Sequence, residues 1–221
     1  MEQSVYRIMV VDDHPIIHDG LKTLLATDSN IEICCTASSA EEAIKQLDAV
    51  DAHMAIVDLS LGDMDGTYLI PELKKISPAV KILVYTMSEE KLFAERTASA
   101  GADGYVMKTS PPGSLKEAIQ TLMDGELYFS PETARRIKRK RTGHFEAPRT
   151  LIDSLSNREL DIFKLIGEGL DSISIGERLH ISKNTVDTHR INIKNKLELP
   201  NSKAVERFAY EVIQQGKIPG E

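Results

Sequence analysis

The sequence predicts an α/β fold, a doubly wound five-stranded parallel sheet, followed by a small all-α domain. Three observations predict it. Apolar β-rich runs alternate with helical patterns through the front half of the 221-residue chain. The alternation stops at a basic run followed by Gly, Pro and polar residues. The last 68 residues carry only short helical patterns, most of them opened by Ser.

The strands are expected at Tyr6–Val11, Ile31–Thr36, Met54–Val57, Lys81–Tyr85 and Gly104–Met107. Helices are expected between them, around His18–Ala26, Glu41–Leu47, Tyr68–Ile76, Lys91–Ala100 and Leu115–Met123. Ser39/Glu42 and Ser114/Glu117 have the spacing of a capping box. Five strands each followed by a helix imply right-handed crossovers and a parallel sheet. In such sheets function collects at the carboxyl ends of the strands.

Residues 128–153 break this pattern. Six of the seven residues from Arg135 to Arg141 are basic, which reads as a short helix running into a linker. It is expected either to be solvated, to dock on the acidic front half or to touch DNA. Beyond it, helices are expected at about Asn157–Glu168, Ser174–Leu179, Lys183–Leu197 and Lys203–Gln214, capped by Ser156, Ser172, Ser182 and Ser202. Domain boundaries are placed at 1–128, 129–153 (basic helix and linker) and 154–221.

The net charge of −7 is unevenly spread. Residues 1–127 hold 10 Lys/Arg against 21 Asp/Glu, and residues 128–221 hold 17 against 13. That division suggests modules with different partners. No apolar stretch reaches the roughly 18 residues of a membrane span, and the N-terminus lacks a signal-peptide pattern. Cys34 and Cys35 are adjacent, and neighbours on a strand point to opposite faces, so no disulfide framework is indicated. A cytoplasmic location, with no membrane partner, fits these features. The methionines read as core filler.

Four strand ends carry distinctive polar residues. The first ends in Asp12-Asp13, the third in Asp58 and the fourth in Thr86, and Lys108 follows the last. A doubly wound sheet brings these five to one edge. Carboxylates can hold Mg²⁺ through hard oxygen ligands, and a carboxylate can attack phosphorus. A metal ion and a Lys can neutralise a transferring phosphoryl group. His14 follows the acid pair and could contact phosphate or metal, but reads first as a loop and helix-start residue.

These stretches, VVDDH (10–14), VDLSLGDMDG (57–66), VYTMS (84–88) and GADGYVMK (101–108), resemble the receiver domain of two-component response regulators over residues 5–127. The resemblance implies that Asp58 accepts phosphate and that Asp13 and Asp58 ligate Mg²⁺. Asp12 would orient water or metal, and the Ser60 carbonyl would complete the protein ligands. Thr86 and Lys108 would bind phosphoryl oxygens, and Tyr105 would be the aromatic switch that turns inward with Thr86. Two departures stand out. Gly62 occupies a position where many receivers have Pro. Thr109 follows Lys108 where many have a cis-Pro, and a non-proline cis bond costs about 3 kcal/mol.

The helices at about 174–179 and 183–197, joined by a turn near His180–Ser182, have helix-turn-helix spacing. The second carries Lys183, Asn184, Thr185, Asp187, Thr188, His189, Arg190, Asn192, Lys194 and Lys196, which can meet phosphates and base edges, His189 being equally open to a packing role. Val186, Ile193 and Leu197 are its core face. LSNREL (155–160), GEGL (167–170), ERLHIS (177–182) and NTVDTHRINIKNKL (184–197) resemble the LuxR-type helix-turn-helix of the NarL/FixJ family over residues 154–215. That resemblance implies homodimeric binding to double-stranded DNA, with dimer contacts near Val205–Val212. It also implies a sensor histidine kinase as phosphodonor and RNA polymerase as a further candidate contact. Asp187 stands where that family usually has Lys, leaving three readings open: repulsion of phosphate, acceptance from cytosine, or capping. Ser172-Ile173-Ser174 replaces the usual Asn-Lys-Glu. Gly176 replaces a small Ala, at about 1 kcal/mol in helix propensity.

The expected function is a response regulator in which phosphorylation of Asp58 controls dimerisation and sequence-specific DNA binding, not an enzyme. A haloacid-type hydrolase also uses a nucleophilic Asp beside Mg²⁺, but the helix-turn-helix argues against it. A phosphorylation-independent DNA-binding protein is the other rival, and the complete acidic set argues against that.

Overall fold

A computed structural model describes residues 5–61, 66–141 and 151–215. The chain divides into two compact units, residues 1–144 and 145–221. In the first, strands β1 (Tyr6–Val11), β2 (Ile31–Ala37), β3 (Met54–Val57), β4 (Lys81–Thr86) and β5 (Gly104–Met107) form one sheet in the order β2-β1-β3-β4-β5. Every neighbouring pair is parallel. Helices α1 (Pro15–Leu25), α2 (Ala40–Ala49), α3 (Gly66–Ile76), α4 (Glu90–Ala100) and α5 (Pro112–Met123) lie between and after the strands.

Both faces of the sheet are buried, so its strands read as continuous apolar runs. Ile8, Val10, Ile56, Leu83 and Val106 pack with Leu21 and Leu25 of α1 and with Leu115, Ile119 and Leu122 of α5. The alternate strand residues Met9, Ala55, Ile82 and Val84 are buried on the other face, as are Leu69, Ile70 and Leu73 of α3. The strand order reverses between β1 and β3. Their carboxyl ends, carrying Asp12-Asp13 and Asp58, therefore flank the crevice where such folds bind ligands.

Some local expectations need correction. Ser39 caps α2 by accepting from Glu42 N–H, but the Glu42 carboxylate accepts from Ser38 N–H instead of completing the box. Helix α5 starts earlier than Ser114, with Pro111 at its N-cap and Pro112 in its first turn. Glu117 instead accepts from the Tyr128 hydroxyl at 3.1 Å. The β1–β2 register slips between Ile8/Ile33 and Met9/Cys35, leaving Cys34 as an extra residue. This bulge overrides the alternation of neighbours. The two sulfurs lie 3.9 Å apart, both as free thiols. Burial, and then the neighbouring Cys34, push the Cys35 thiol up to about 12.

The basic run forms α6 (Pro131–Arg141). It docks on α4: Ile137 and Thr133 are buried, and Arg136 reaches Glu95 of α4 at 3.3 Å. Ser130 N–H donates to Glu90 at 2.7 Å, fixing the approach to the helix.

The first described element of the second unit is a short 3-10 turn, Leu151–Ser154. Helices α7 (Asn157–Gly167), α8 (Ser172–Leu179), α9 (Lys183–Lys196) and α10 (Ser202–Gln215) follow. Leu160, Phe163, Ile175, Val186, Ile193, Val205 and Ala209 are buried. Ser156 and Ser182 cap α7 and α9 as expected, Ser156 in a full capping box with Glu159. Helix α8 is capped by Asp171 rather than Ser172. The N–H of Ala204 near the start of α10 is taken by the Asn201 side chain rather than by Ser202. Gly176 has a steric role beyond propensity, because an added Cβ would come 2.7 Å from the Ile181 carbonyl oxygen in the turn. Among the described residues no helix is long and apolar enough to cross a membrane.

Among the described residues of this unit Glu159 is the one nearly buried carboxylate, only 4 % exposed. Burial works against its charge. The Lys196 ammonium at 2.7 Å and the Ser156 hydrogen bonds outweigh that and hold its pKa below the ordinary value. Because the folded pKa is the lower one, the stabilisation is present above the unfolded value of about 4.3 and is lost as pH falls through the folded pKa. Thermal melts of the second unit should lose stability over that acid range. Glu159→Gln should flatten the loss and lower stability at pH 7. Parallel pH profiles for the two proteins would contradict this.

Candidate functional site

The edge formed by the β1, β3, β4 and β5 carboxyl ends gathers Asp12, Asp13, Asp58, Thr86 and Lys108. Asp12 and Asp58 are almost fully buried, at 2 % and 3 % exposure. The Lys108 ammonium lies 2.6 Å from Asp12 Oδ2 and 2.6 Å from Asp58 Oδ2. Burial works against the Lys108 charge, but Asp58 and Asp12 overcome it and raise its pKa above the usual lysine value.

Ligand atoms from Asp12, Asp13, His14 and Asp58 all lie within 4.8 Å of one another, close enough to share a metal ion. Asp13 Oδ1 is buried and accepts no hydrogen bond. It lies 2.7 Å from His14 Nδ1 without the alignment of one. An orphaned carboxylate oxygen beside two other carboxylates is a hard donor set suited to a cation. His14 also donates its backbone N–H to Asp12 Oδ1 at 2.9 Å. The sequence offers such closeness only as the lesser alternative to a loop and helix-start role. Ser60 donates its N–H to Asp58 Oδ1 at 3.2 Å. Gly62 lies outside the described residues.

Thr86 is fully buried, and its hydroxyl accepts from Ser88 N–H at 3.4 Å. Its carbonyl accepts from Lys108 N–H at 2.7 Å, tying β4 to the lysine's backbone. Tyr105 points inward, 2 % exposed, and its hydroxyl donates to the Ser88 carbonyl at 3.0 Å. Ser88 is thus a member of the site that the strand-end pattern does not reveal. No peptide bond among the described residues is cis, so the Lys108–Thr109 bond is trans.

A second site lies on α8 and α9. His180, in a left-handed conformation, ends α8, and Arg158 donates to the Leu179 carbonyl at 2.9 Å. On α9, Lys183, Asn184, Thr185 and Thr188 are exposed, and Lys194 is half-buried. Asp187 lies to one side, 2.7 Å from Lys183 and hydrogen-bonded to the Ser172 hydroxyl, and these contacts lower its pKa. Two expected DNA contacts turn elsewhere. His189 buries Nδ1 without a partner, and that burial lowers its pKa. Arg190 is 16 % exposed and grips Glu206 of α10 at 2.6 Å, in a depression also lined by Asp187 and Tyr210. Ile191, absent from the expected set, is 56 % exposed.

Comparison with known proteins matches each unit to a known domain family. The model of the response regulator receiver domain matches residues 8–120, and that of the bacterial regulatory proteins of the luxR family matches residues 153–209. The response regulator protein VraR of Staphylococcus aureus strain NCTC 8325 is 30% identical over 205 residues, covering 93% of this chain and 96% of its own. The RcsB response regulator of Salmonella typhimurium is similar in structure, with a TM-score of 0.56 and 26% identity over 94% of this chain and 99% of that one. A LuxR-family two-component response regulator from Aurantimonas sp. SI85-9A1 is 32% identical, with a TM-score of 0.56, over 63% of this chain and 99% of that one. A structure described as a two-component response regulator RcsB–DNA complex matches with a TM-score of 0.56 and 25% identity over 95% of this chain and all of that one. The chain belongs to the response regulators of the NarL/FixJ family, which join a receiver domain to a LuxR-type helix-turn-helix.

Proposed function

We propose that the first unit takes a phosphoryl group on Asp58 and that this controls dimerisation and sequence-specific DNA binding by the second unit. The observation that carries this is the buried Asp12–Lys108–Asp58 bridge beside the orphaned Asp13 oxygen. Asp58 attacks the phosphorus of a phosphohistidine or small phosphodonor, and the donor's leaving group departs with its bonding pair. Asp12, Asp13, Asp58 and the Ser60 carbonyl would hold Mg²⁺, which supplies charge neutralisation for the transferring group. Lys108, already 2.6 Å from Asp58, moves its contact to a phosphoryl oxygen. The Thr86 hydroxyl takes another oxygen and gives up its contact with Ser88 N–H.

Tyr105 is packed against the same loop through the Ser88 carbonyl. Closing that loop on the phosphoryl group fixes the tyrosine inward and biases the α4 surface. The α8–α9 hairpin then acts as a homodimer's DNA-reading element, with dimer contacts on α10. The assignment as a cytoplasmic transcription regulator, with a histidine kinase as donor and RNA polymerase as a further contact, rests on this reading. Turnover of a separate substrate is not part of it.

Gly66 sets the position of Asp58. An added Cβ there would fall on the Asp58 carbonyl oxygen and 2.7 Å from Leu59 Cα. Helix α3 therefore seats directly on the loop that carries the phosphoacceptor.

Incubation with Mg²⁺ and a small phosphodonor should add one phosphate, and mass spectrometry of Asp58→Asn should find none. Equal labelling of that variant would remove the assignment. Phosphorylation should raise the dimer population and operator affinity together, by roughly 5- to 150-fold, as allosteric couplings usually do. Identical titration curves for the two states would rule the receiver out as the switch. Gly66→Ala should slow phosphorylation by about tenfold to a hundredfold, the scale of a 1 Å misplacement of a reacting group. Its circular dichroism should stay native, and an unchanged labelling rate would show that α3 does not position Asp58.

A further inference from the structure

Helix α9 presents an unusual outward face. Residues four, three and four apart lie on one line along an α-helix. Asn184, Thr188, Ile191 and Asn195 have that spacing, and all four are exposed. They lie opposite the fully buried Val186 and Ile193. The centre of this line is apolar. Ile191 is 56 % exposed, and the Thr188 hydroxyl donates to the Asn184 carbonyl at 2.9 Å, which leaves the Thr188 methyl as its outer group.

No Lys or Arg stands on the line. Three cations are engaged at its flanks, Lys183 with Asp187, Arg190 with Glu206 and Lys196 with Glu159, and Lys194, half-buried, stands beside the line rather than on it. The guanidinium fork that reads guanine is therefore missing from the centre of the face, while amides and methyl-bearing groups occupy it. In the major groove an Asn amide pairs with the N6 and N7 of adenine, and an apolar side chain meets the C5-methyl of thymine.

Resting on the reading that α9 enters the major groove, we propose that this chain selects an A·T-rich half-site core, with Ile191 packed on a thymine methyl group. The face explains an otherwise unfavourable exposure. An isoleucine at the centre of a polar stripe gains nothing from water, but gains a burial partner once the groove is filled. The cations at the flanks are placed for phosphates, which position the helix without reading sequence.

The test uses the phosphorylated full-length chain. Sites selected from random duplexes should share a half-site core of A·T pairs. Replacing each thymine of a selected half-site by deoxyuridine removes one methyl at a time. One such replacement should weaken binding about fourfold, the worth of a single buried methyl group. Ile191→Ala should lose this sensitivity and Ile191→Val should keep most of it. Both are exposed-site changes that leave the buried residues of α9 in place. Selected cores rich in guanine, or binding indifferent to every thymine-to-uracil change, would overturn the inference while leaving the DNA-binding role standing. If neither the phosphorylated nor the unphosphorylated chain enriches any sequence, the DNA-binding reading itself fails and takes this one with it.

Discussion

The buried Lys108 ammonium, shared between Asp12 and Asp58, is the contact on which the rest of the first unit depends. Two carboxylates at 2 % and 3 % exposure repel one another in a medium that screens them poorly. The single cation between them makes their burial tolerable, yet with Asp13 the cluster still carries excess negative charge. That excess is what a divalent cation would neutralise. A phosphoryl group would then bring back charge near −2, and Lys108 is the group able to follow it. A fixed ion pair of this kind is weak evidence for stability and stronger evidence for a site held ready to exchange partners.

From Lys108 the contacts continue to the surface without a gap. Its backbone N–H holds Thr86 at the end of β4, Tyr105 of β5 holds the Ser88 carbonyl, and α4 follows that loop at once. Helix α4 in turn carries Glu90 and Glu95, the two acceptors that seat Ser130 and Arg136 at α6. Contiguity is not coupling, which requires an element with two arrangements that both ends bias. Helix α6 is suited to be that element. Its described buried anchors are only Ile137 and Thr133, and its partly exposed ion pairs are of the kind usually worth less than about 1 kcal/mol. A dock so lightly held can be released by a modest change in α4. Of the alternatives left open for the basic run, docking on the acidic first unit is the one the structure adopts.

The five strands and the strand-end constellation were legible in the sequence because a parallel sheet forces both: apolar runs inside, polar residues where the chain leaves the sheet. Asp12, Asp13, Asp58, Thr86 and Lys108 could be named from position alone. What failed was local. The Ser114/Glu117 box lost to Pro111-Pro112, since proline at a helix start needs no N–H partner and fixes φ. Cys34 and Cys35 defied alternation because one bulge residue was added to β2, which no composition signal marks. On α9 the sequence presents the polar residues as outward, with His189 alone left open to a packing role. His189 and Arg190 instead face the α7 and α10 sides, where Arg190 finds Glu206, while the apolar Ile191 faces out. Periodicity separates faces only when polar means exposed, and this helix breaks that equivalence on both sides.

The same inversion bears on how the second unit would be regulated. A DNA-binding helix ordinarily draws its non-specific affinity from cations offered to phosphates. Here Lys183 is 2.7 Å from Asp187 within its own helix, and Ser172 helps hold that carboxylate. Of the three readings of Asp187, the geometry favours one close to the first: it blunts attraction to the backbone by occupying a neighbouring lysine rather than by facing a phosphate directly. Docking on DNA must then exchange an existing ion pair for a phosphate contact, and the net gain per protomer is smaller than a free lysine would give. One protomer with so little non-specific affinity binds weakly, whereas two joined protomers gain the effective concentration of a linked pair. A recognition helix with Lys183, Arg190 and Lys196 already paired thus places more of the decision to bind with dimerisation, which is the step the buried aspartate pocket is proposed to control.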